Sequence, residues 1–495
     1  MACLIAAPSS GSGKTLLSLS LAALARRRGL RLQPFKVGPD YLDPQLLGQV
    51  SGLPCRNLDP LLCGEGWVRH CFHWHGGRAD LCLVEGVMGL FDGRGPSSAG
   101  SSAEVAALLG LPVVLVVEAS RQAGSIAALV RGFRDHGPPA VPLAGVVLNR
   151  VGSERHRALL REALEAIAVP VLGILPALPA LELPSRHLGL LPPGELLDLA
   201  WRQQEWASLA EQHLDLERLW PLLTPPEGAA EDPIPWCLAQ AQSAPGSTAA
   251  AQSAAAQFAT AEPPAAVPPP TAQPLTVAIA SDAAFHFRYP EAEELLTALG
   301  LEPIPWSPLA DQPLPAGCRA VVLPGGYPEL HAPALEAARR SLEDLRRAAR
   351  AGMPLVAECG GLLLLGQQLT TAEGGQHAMA GLLPFCAARG SLSLGYREAV
   401  VASDGLLVRT GERLQGHEFH RWQLTKSPGS ATDVVREEGL WQLEGWGSPR
   451  RPEGWTNATL HASWLHLHWA GCPEIPWRLA AAAARAAALP MKAPS

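Results

Sequence analysis

What this chain has little of narrows its class first. Its 495 residues hold ten cysteines, yet no two are spaced as CxxC. Cys55, Cys63 and Cys71 recur evenly without a close second ligand, so no structural zinc site is expected. Scattered thiols of this kind suit reduced cysteines in a cytoplasmic protein. No apolar run reaches membrane-spanning length, and LGLPVVLVVEA reads as a buried strand. The opening MACLIAAPSSGSGKT lacks a basic n-region and turns polar at once, which predicts no signal peptide. Basic residues do not dominate: Lys and Arg number 39 against 46 Asp and Glu, a formal net charge of −7. Without a clustered basic face, neither nucleic acid nor a membrane is an expected partner.

What is present is a core-forming composition, 47% hydrophobic and 17% charged. The length exceeds one ordinary core and predicts two or three domains. From residue 1 to 223, the strand-like runs CLIAA, LRLQPFKV, ADLCLVEG, PVVLVVEA, LAGVVLN and VPVLGILP alternate with helical patterns such as KTLLSLSLAALARRRG. That alternation predicts an α/β domain with a mostly parallel sheet. Residues 224–274 are rich in Ala, Pro, Gln and Ser and read as a flexible linker. At LTVAIASD the α/β pattern resumes, giving a second α/β domain over 275–490 that ends in an alanine-rich helix.

APSSGSGKT follows a strand and opens a helix. A Gly-rich loop there points backbone N–H groups at phosphates. Ser10, Gly11, Ser12, Gly13, Lys14 and Thr15 are therefore the expected ATP-binding residues, although Pro8 stands where the first Gly of a P-loop belongs. Lys14 would reach the terminal phosphates and Thr15 a magnesium ion. Acidic residues follow at later strand ends, Asp40 and Asp43 after Val37, then Glu85 and Asp92. In an open parallel sheet, ligands sit outside the carboxyl ends of the strands. Carboxylates there can hold Mg²⁺ against phosphate oxygens.

FKVGPDYLDP, EGVMGLFDG, CRNLDP and ELPSRHLGL together resemble the cobyrinic acid a,c-diamide synthase family of cobalamin biosynthesis. The resemblance covers both domains. It implies a dethiobiotin synthetase-like P-loop NTPase-type domain in which ATP activates a corrin carboxylate as an acyl phosphate. It further implies Thr15, Asp40 and Glu85 around Mg²⁺, with Lys36, Asp43 and Asp92 at the phosphoryl group. Asn149 in VVLNRV would read adenine, and Ser101 and Ser102 in SSAEVA would approach the corrin. Glu118 stands where an Asp is more usual.

In the second domain, MPLVAECGG reads as strand, sharp turn and helix, the geometry of a nucleophile elbow at Cys359. A helix N-terminus beside the sulfur predicts a lowered thiol pKa. HASWLHLHW supplies candidate bases, with His466 and His468 expected on one strand face and His461 at the surface or a strand end. LPGGYPEL supplies Gly326, whose N–H, with that of Gly360, could form an oxyanion hole. These features resemble a class I glutamine amidotransferase. That resemblance implies that Cys359 attacks glutamine, with His466 as base. Many such domains carry His-x-Glu, but His468 stands in the Glu position here, which leaves the third member open. LGYREA and GHEFHRW also match the synthase pattern and are expected near the domain interface or the substrate.

The expected reaction is amidation of the a and c carboxylates of cobyrinic acid, using ATP and L-glutamine. Hydrogenobyrinic acid, nickel-sirohydrochlorin and the cobyric acid synthase reaction remain chemically close alternatives. A ParA/MinD-like switch ATPase is a rival from another class. It predicts an extra lysine near the loop start, which APSSGSGKT lacks, and no use for Cys359. A homodimer is the expected assembly.

Overall fold

The computed structural model describes residues 2–186, 189–190, 192–228, 230–243, 274–426 and 439–488. It divides into two compact units, Met1–Pro233 and Ile234–Ser495.

The first unit is built on seven parallel strands: β1 (Cys3–Ala6), β2 (Leu32–Val37), β3 (Arg56–Leu58), β4 (Leu81–Glu85), β5 (Val113–Glu118), β6 (Leu143–Asn149) and β7 (Val171–Ile174). Their spatial order is β3-β2-β4-β1-β5-β6-β7. Helices α1 (Lys14–Arg27), α2 (Leu42–Ser51), α3 (Pro60–Gly76), α4 (Ser102–Leu109), α5 (Ile126–Asp135), α6 (Glu154–Glu165) and α7 (Leu199–His213) join or cover them. Strands of a sheet covered on both faces read as continuous apolar runs. That is why PVVLVVEA is buried from Val113 to Val117. Helix α1 is rich in Leu and Ala around most of its surface, and Leu17, Leu19, Leu21 and Leu24 are all inaccessible. Helix α7 packs beside it, and Trp206 and Leu209 join the same core.

The first described residues of the expected linker are held by the two units. The segment before residue 229 stays on the first unit, where Pro226 lies against Gly76. Helix α8 (Pro233–Ser243) lies almost wholly within the second unit, burying Ile234 and Cys237. The Cys237 thiol donates to the Ala470 carbonyl at 3.3 Å. PIPWCL has enough apolar residues to dock. Residues 244–273, most of the expected linker, lie outside the described residues, as do His187 and Leu188 of ELPSRHLGL and the domain's expected end at Pro490.

The second unit holds a mainly parallel sheet of β8 (Leu275–Ala280), β9 (Leu301–Trp306), β10 (Ala320–Leu323), β11 (Leu355–Glu358) and, after the intervening strands, Leu460–Ser463, in the order β9-β8-β10-β11 and then Leu460–Ser463. A second sheet is built around the long antiparallel pair β12 (Phe385–Val401) and β13 (Arg413–Lys426). Strand β13 also reaches the end of the first sheet, where His417 and His466 exchange backbone hydrogen bonds of 3.0 and 2.9 Å. The expected terminal helix is α9 (Glu474–Ala488). Among the described residues no helix is long and apolar enough to cross a membrane. All ten cysteines are free thiols.

Candidate active sites

In the first unit the loop between β1 and α1 is shaped by glycine. Gly11 and Gly13 have φ of 79° and 111°, which only glycine adopts without strain. A β-carbon on Gly13 would also fall 2.2 Å from Asn149 Nδ2. Asn149, at the tip of β6, instead donates to the Ser12 carbonyl at 2.9 Å. Ser10 and Gly11 are exposed at the crest, leaving the loop open above the strand ends.

The acidic residues converge as their spacing suggested. Lys36, at the end of β2, is only 2% exposed. Its Nζ lies 2.5 Å from Asp43 Oδ2, 2.7 Å from Glu85 Oε1 and 3.5 Å from Asp40 Oδ2. Thr15 Oγ1 donates to the same Glu85 oxygen at 2.9 Å. Burial would drive the proton off Lys36, but Asp43, Glu85 and Asp40 together outweigh it and push its pKa well above the ordinary value. Asp40 moves up to about 7, through burial first and Asp43 second. Asp43 moves down, because Lys36 outweighs its burial. Lys14 donates to the Met88 carbonyl at 2.5 Å. Burial, then Lys36, lowers its pKa to about 8.

The donor set can be tested against Mg²⁺. Glu85 Oε2 is buried with no hydrogen-bond partner, and the Thr15 hydroxyl sits beside the same carboxylate. A spare carboxylate oxygen next to a P-loop hydroxyl fits a cation held mostly by phosphate and water. No cluster of three or more His, Cys, Asp or Glu among the described residues is arranged to hold a metal alone.

Other expected residues serve the fold. Ser101 caps α4 by accepting from Glu104 N–H at 3.2 Å. Ser102 Oγ accepts from Val87 N–H at 2.9 Å and donates to its carbonyl at 3.1 Å. Both serines are inaccessible, so neither presents a hydroxyl to a substrate in this conformation. Asp92 is exposed and accepts from Gly89 N–H at 2.8 Å, holding the turn beside Lys14. Asn57 had no assigned role, although it stands inside CRNLDP. It donates to the Gly38 and Asp40 carbonyls, both at 2.8 Å, and so fixes the loop that carries Asp40.

In the second unit the elbow is real. Cys359 has φ 47° and ψ −104°, a strained conformation for a residue with a side chain. It links β11 to the short helix Gly360–Leu365. A β-carbon on Gly361 would lie 2.0 Å from the Leu323 carbonyl oxygen, so the tight turn needs glycine there. A β-carbon on Gly360 would lie 2.8 Å from Gly326 N, which puts the two expected oxyanion donors side by side. Gly325 packs on the other flank, where its β-carbon would fall 2.4 Å from His466 Cε1. One glycine pair thus touches both the nucleophile turn and the candidate base. Strand β13 touches both as well, since the Phe419 carbonyl is 3.9 Å from Cys359 Sγ and His417 is bridged to His466.

Three expectations need correction. The thiol is not acidified by the helix N-terminus, because burial first, and Glu329 next, push its pKa well up. The helix is one short turn and a half, and it cannot offset loss of water. His461 is neither at the surface nor at a strand end. It lies within Leu460–Ser463, 1% exposed, with its ring edge-on to Trp441. His466 and His468 do not share a strand face, since the chain leaves the sheet at Ser463. His468 instead caps the turn Trp469–Gly471.

The environment keeps the candidate pair neutral at rest. Burial, then His417 and His420, lowers the His466 pKa to about 3. Beside them Glu418, fully buried, is held by Arg397 at 2.6 Å, Arg451 at 2.5 Å and Ser393 at 3.0 Å. Burial opposes its charge, but His420 and Arg451 outweigh burial and hold its pKa far below the carboxylate range. This explains LGYREA and GHEFHRW as facing strands, with Tyr396 opposite His417 and Arg397 bonded to Glu418. Trp422, at the unusual end of GHEFHRW, donates to the Thr370 carbonyl at 2.9 Å.

Residues 3–191 match the family described as a CobQ/CobB/MinD/ParA nucleotide binding domain, and residues 276–473 match the CobB/CobQ-like glutamine amidotransferase domain. The chain is 41% identical over 474 residues to the cobyrinate a,c-diamide synthase of Synechocystis sp., covering 95% of this chain and 90% of that one. It is 42% identical over 471 residues to the enzyme of that name from Gloeobacter violaceus, covering 95% and 94%. The hydrogenobyrinate a,c-diamide synthase of Streptomyces coelicolor is 41% identical over 486 residues, covering 96% of each.

Proposed function

The chain belongs to the a,c-diamide synthase family of cobalamin synthesis, a family of glutamine-dependent ligases, and from that premise we propose a specific division of labour between its sites. The first unit uses ATP and Mg²⁺ to convert the a and c carboxylates of cobyrinic acid, in turn, to acyl phosphates. The second unit hydrolyses L-glutamine and supplies the ammonia that displaces phosphate. The observation that carries this reading is one chain holding both a charged P-loop cluster and a Cys359 elbow.

In the first unit, the open N–H groups of the loop from Ser10 to Thr15 would receive the phosphates. Lys14 would exchange its bond to Met88 for a phosphate oxygen, whose negative charge would raise its pKa again. Thr15 and Glu85 would hold Mg²⁺, which neutralises phosphate charge. Asp40 would assist through water. Lys36, a fixed cation among Asp43, Glu85 and Asp40, would face the phosphoryl group in transfer. Asp92 keeps the turn beside Lys14. Asn149 would read the adenine. Ser101 and Ser102 would brace the corrin site from behind.

In the second unit, the thiol of Cys359 and the neutral imidazole of His466 form the resting pair. His466 takes the thiol proton as sulfur attacks the glutamine amide carbon. The N–H groups of Gly326 and Gly360 meet the oxygen that becomes negative. His466 then returns the proton to the departing nitrogen, leaving a thioester for water to cleave.

Cobyrinate is the proposed substrate. The same chemistry on hydrogenobyrinate is the second reading, favoured by the Streptomyces coelicolor relative's name. Mass spectrometry of either acid, incubated with protein, glutamine and Mg-ATP, tests both. Two successive carboxyl-to-amide exchanges on cobyrinate are expected. No exchange on cobyrinate, with exchange on hydrogenobyrinate, would select the second reading. A cytoplasmic homodimer completes the proposal, and sedimentation at working concentration checks the dimer.

A further inference from the structure

We propose that Glu358, the residue immediately before the nucleophile, is the positioning residue for His466. This rests on the reading of Cys359 and His466 as the glutaminase pair. The position two beyond His466 is held by His468, whose ring is engaged elsewhere. Its Nδ1 accepts from Ala470 N–H at 3.3 Å, and its Nε2 lies 3.7 Å from Glu291. Its ring packs on Tyr289 with centroids 4.2 Å apart. His468 therefore cannot orient His466.

Glu358 can. It ends β11, and its Oε2 lies 3.9 Å from His466 Nδ1. The Leu467 N–H and the Trp469 side chain, both in the segment that carries His466, favour the ionised form of Glu358 against burial. The carboxylate thus stands on the nucleophile strand and faces the base segment. Once ionised, which burial delays to about pH 8, the carboxylate fixes the proton on Nδ1 and leaves Nε2 to accept from the thiol. The gap exceeds a hydrogen bond, and such contacts tighten once the imidazole becomes charged. The other charged or titratable groups facing His466 are His417, Glu418 and His420 on β13. Glu418 is occupied by Arg397 and Arg451, which leaves Glu358 to serve Nδ1.

The test compares Glu358→Gln, Glu358→Asp and Cys359→Ala in the full chain. Glu358→Gln keeps the acceptor oxygen but not the charge. Its glutaminase kcat should fall on the order of a hundredfold, with KM for glutamine little changed. The pH profile of kcat should lose its rising limb, and Glu358→Asp should recover part of both. Ammonium-driven amidation should stay at the wild-type rate, which also certifies folding. Wild-type kcat in Glu358→Gln, or a lower kcat with an unaltered pH profile, overturns the inference. Glutaminase activity surviving in Cys359→Ala overturns instead the reading on which it rests.

Discussion

The two sites solve opposite electrostatic problems. The phosphate site gathers charge: Lys36 is buried against Asp43, Glu85 and Asp40, and each ion is held by the next. The amidotransferase site sheds charge from its reacting pair: burial pushes Cys359 up and His466 down to about 3. The difference follows from the substrates. A polyphosphate arrives with charge that must be matched by fixed ions. A glutamine amide is neutral, and charge appears only as the bond forms. A dry neutral pair then needs little rearrangement beyond one proton, and preorganised N–H groups receive the new oxyanion.

The largest effect that would sharpen this contrast is loss of the nucleophile. Cys359→Ala should lower glutamate release by roughly a thousandfold or more. Amidation driven by ammonium salts should continue, because the phosphate site is untouched. Retained glutamine-dependent synthesis would remove Cys359 from the mechanism.

Lys36→Met should do the reverse. It takes the cation from three carboxylates, two of them bonded to it directly. Breaking a buried ionic cluster from one side costs about 3 kcal/mol, read by chemical denaturation. The penalty should shrink on acidification, since protonation relieves the unpaired carboxylates, Asp40 first with its pKa near 7. Amidation should be lost with either nitrogen source while glutaminase persists. A mutant as stable as wild type at pH 8 would mean the cluster is not held as described.

How much of this was legible beforehand depended on whether a signal was local. Strand periodicity, the Gly-rich loop and the Ala357–Gly361 elbow are local patterns, and each stands where it was read. The gathering of Asp40, Asp43 and Glu85 around Lys36 follows from parallel strands ending at one sheet edge. Burial was not legible. Nothing in HASWLHLHW says that His461 faces a core built by Trp441, twenty residues away. Nothing in AECGG says that Glu358 turns toward His466, because the contact joins two strand ends far apart in sequence. The family resemblance placed Ser101 and Ser102 near the corrin, but serines at such positions are equally suited to capping a helix and bracing a turn. Composition averages over 224–274 hid the short apolar run that docks α8.

His461 offers a smaller test. Burial holds its pKa near 3 against an ordinary 6.5, so the unfolded chain takes the proton first. Stability from this group is complete above pH 6.5 and is lost as pH falls toward 3. His461→Gln should reduce the acid slope of the second unit by up to about 1.4 kcal/mol per pH unit in that window. Glu358 opposes the trend: its raised pKa favours the fold below 4.5, and that contribution is lost as pH rises through about 8. Hydrogen exchange followed unit by unit across pH reads both. An unchanged slope in His461→Gln would mean that the ring reaches water.

The smallest expected effect concerns the contact between Asn149 and the loop. Its amide donates to the Ser12 carbonyl and packs where a β-carbon on Gly13 would stand. Asn149→Ala removes one neutral hydrogen bond, worth about 1 kcal/mol, and opens space behind the glycine. KM for ATP should rise about fivefold, the same free energy expressed as affinity. Glutaminase turnover should not change, because nothing in Cys359, His466 or Gly326 depends on β6. A rise in KM for ATP together with a fall in glutaminase turnover would show that nucleotide binding governs the second site. The two electrostatic regimes would then have to be treated as one coupled machine.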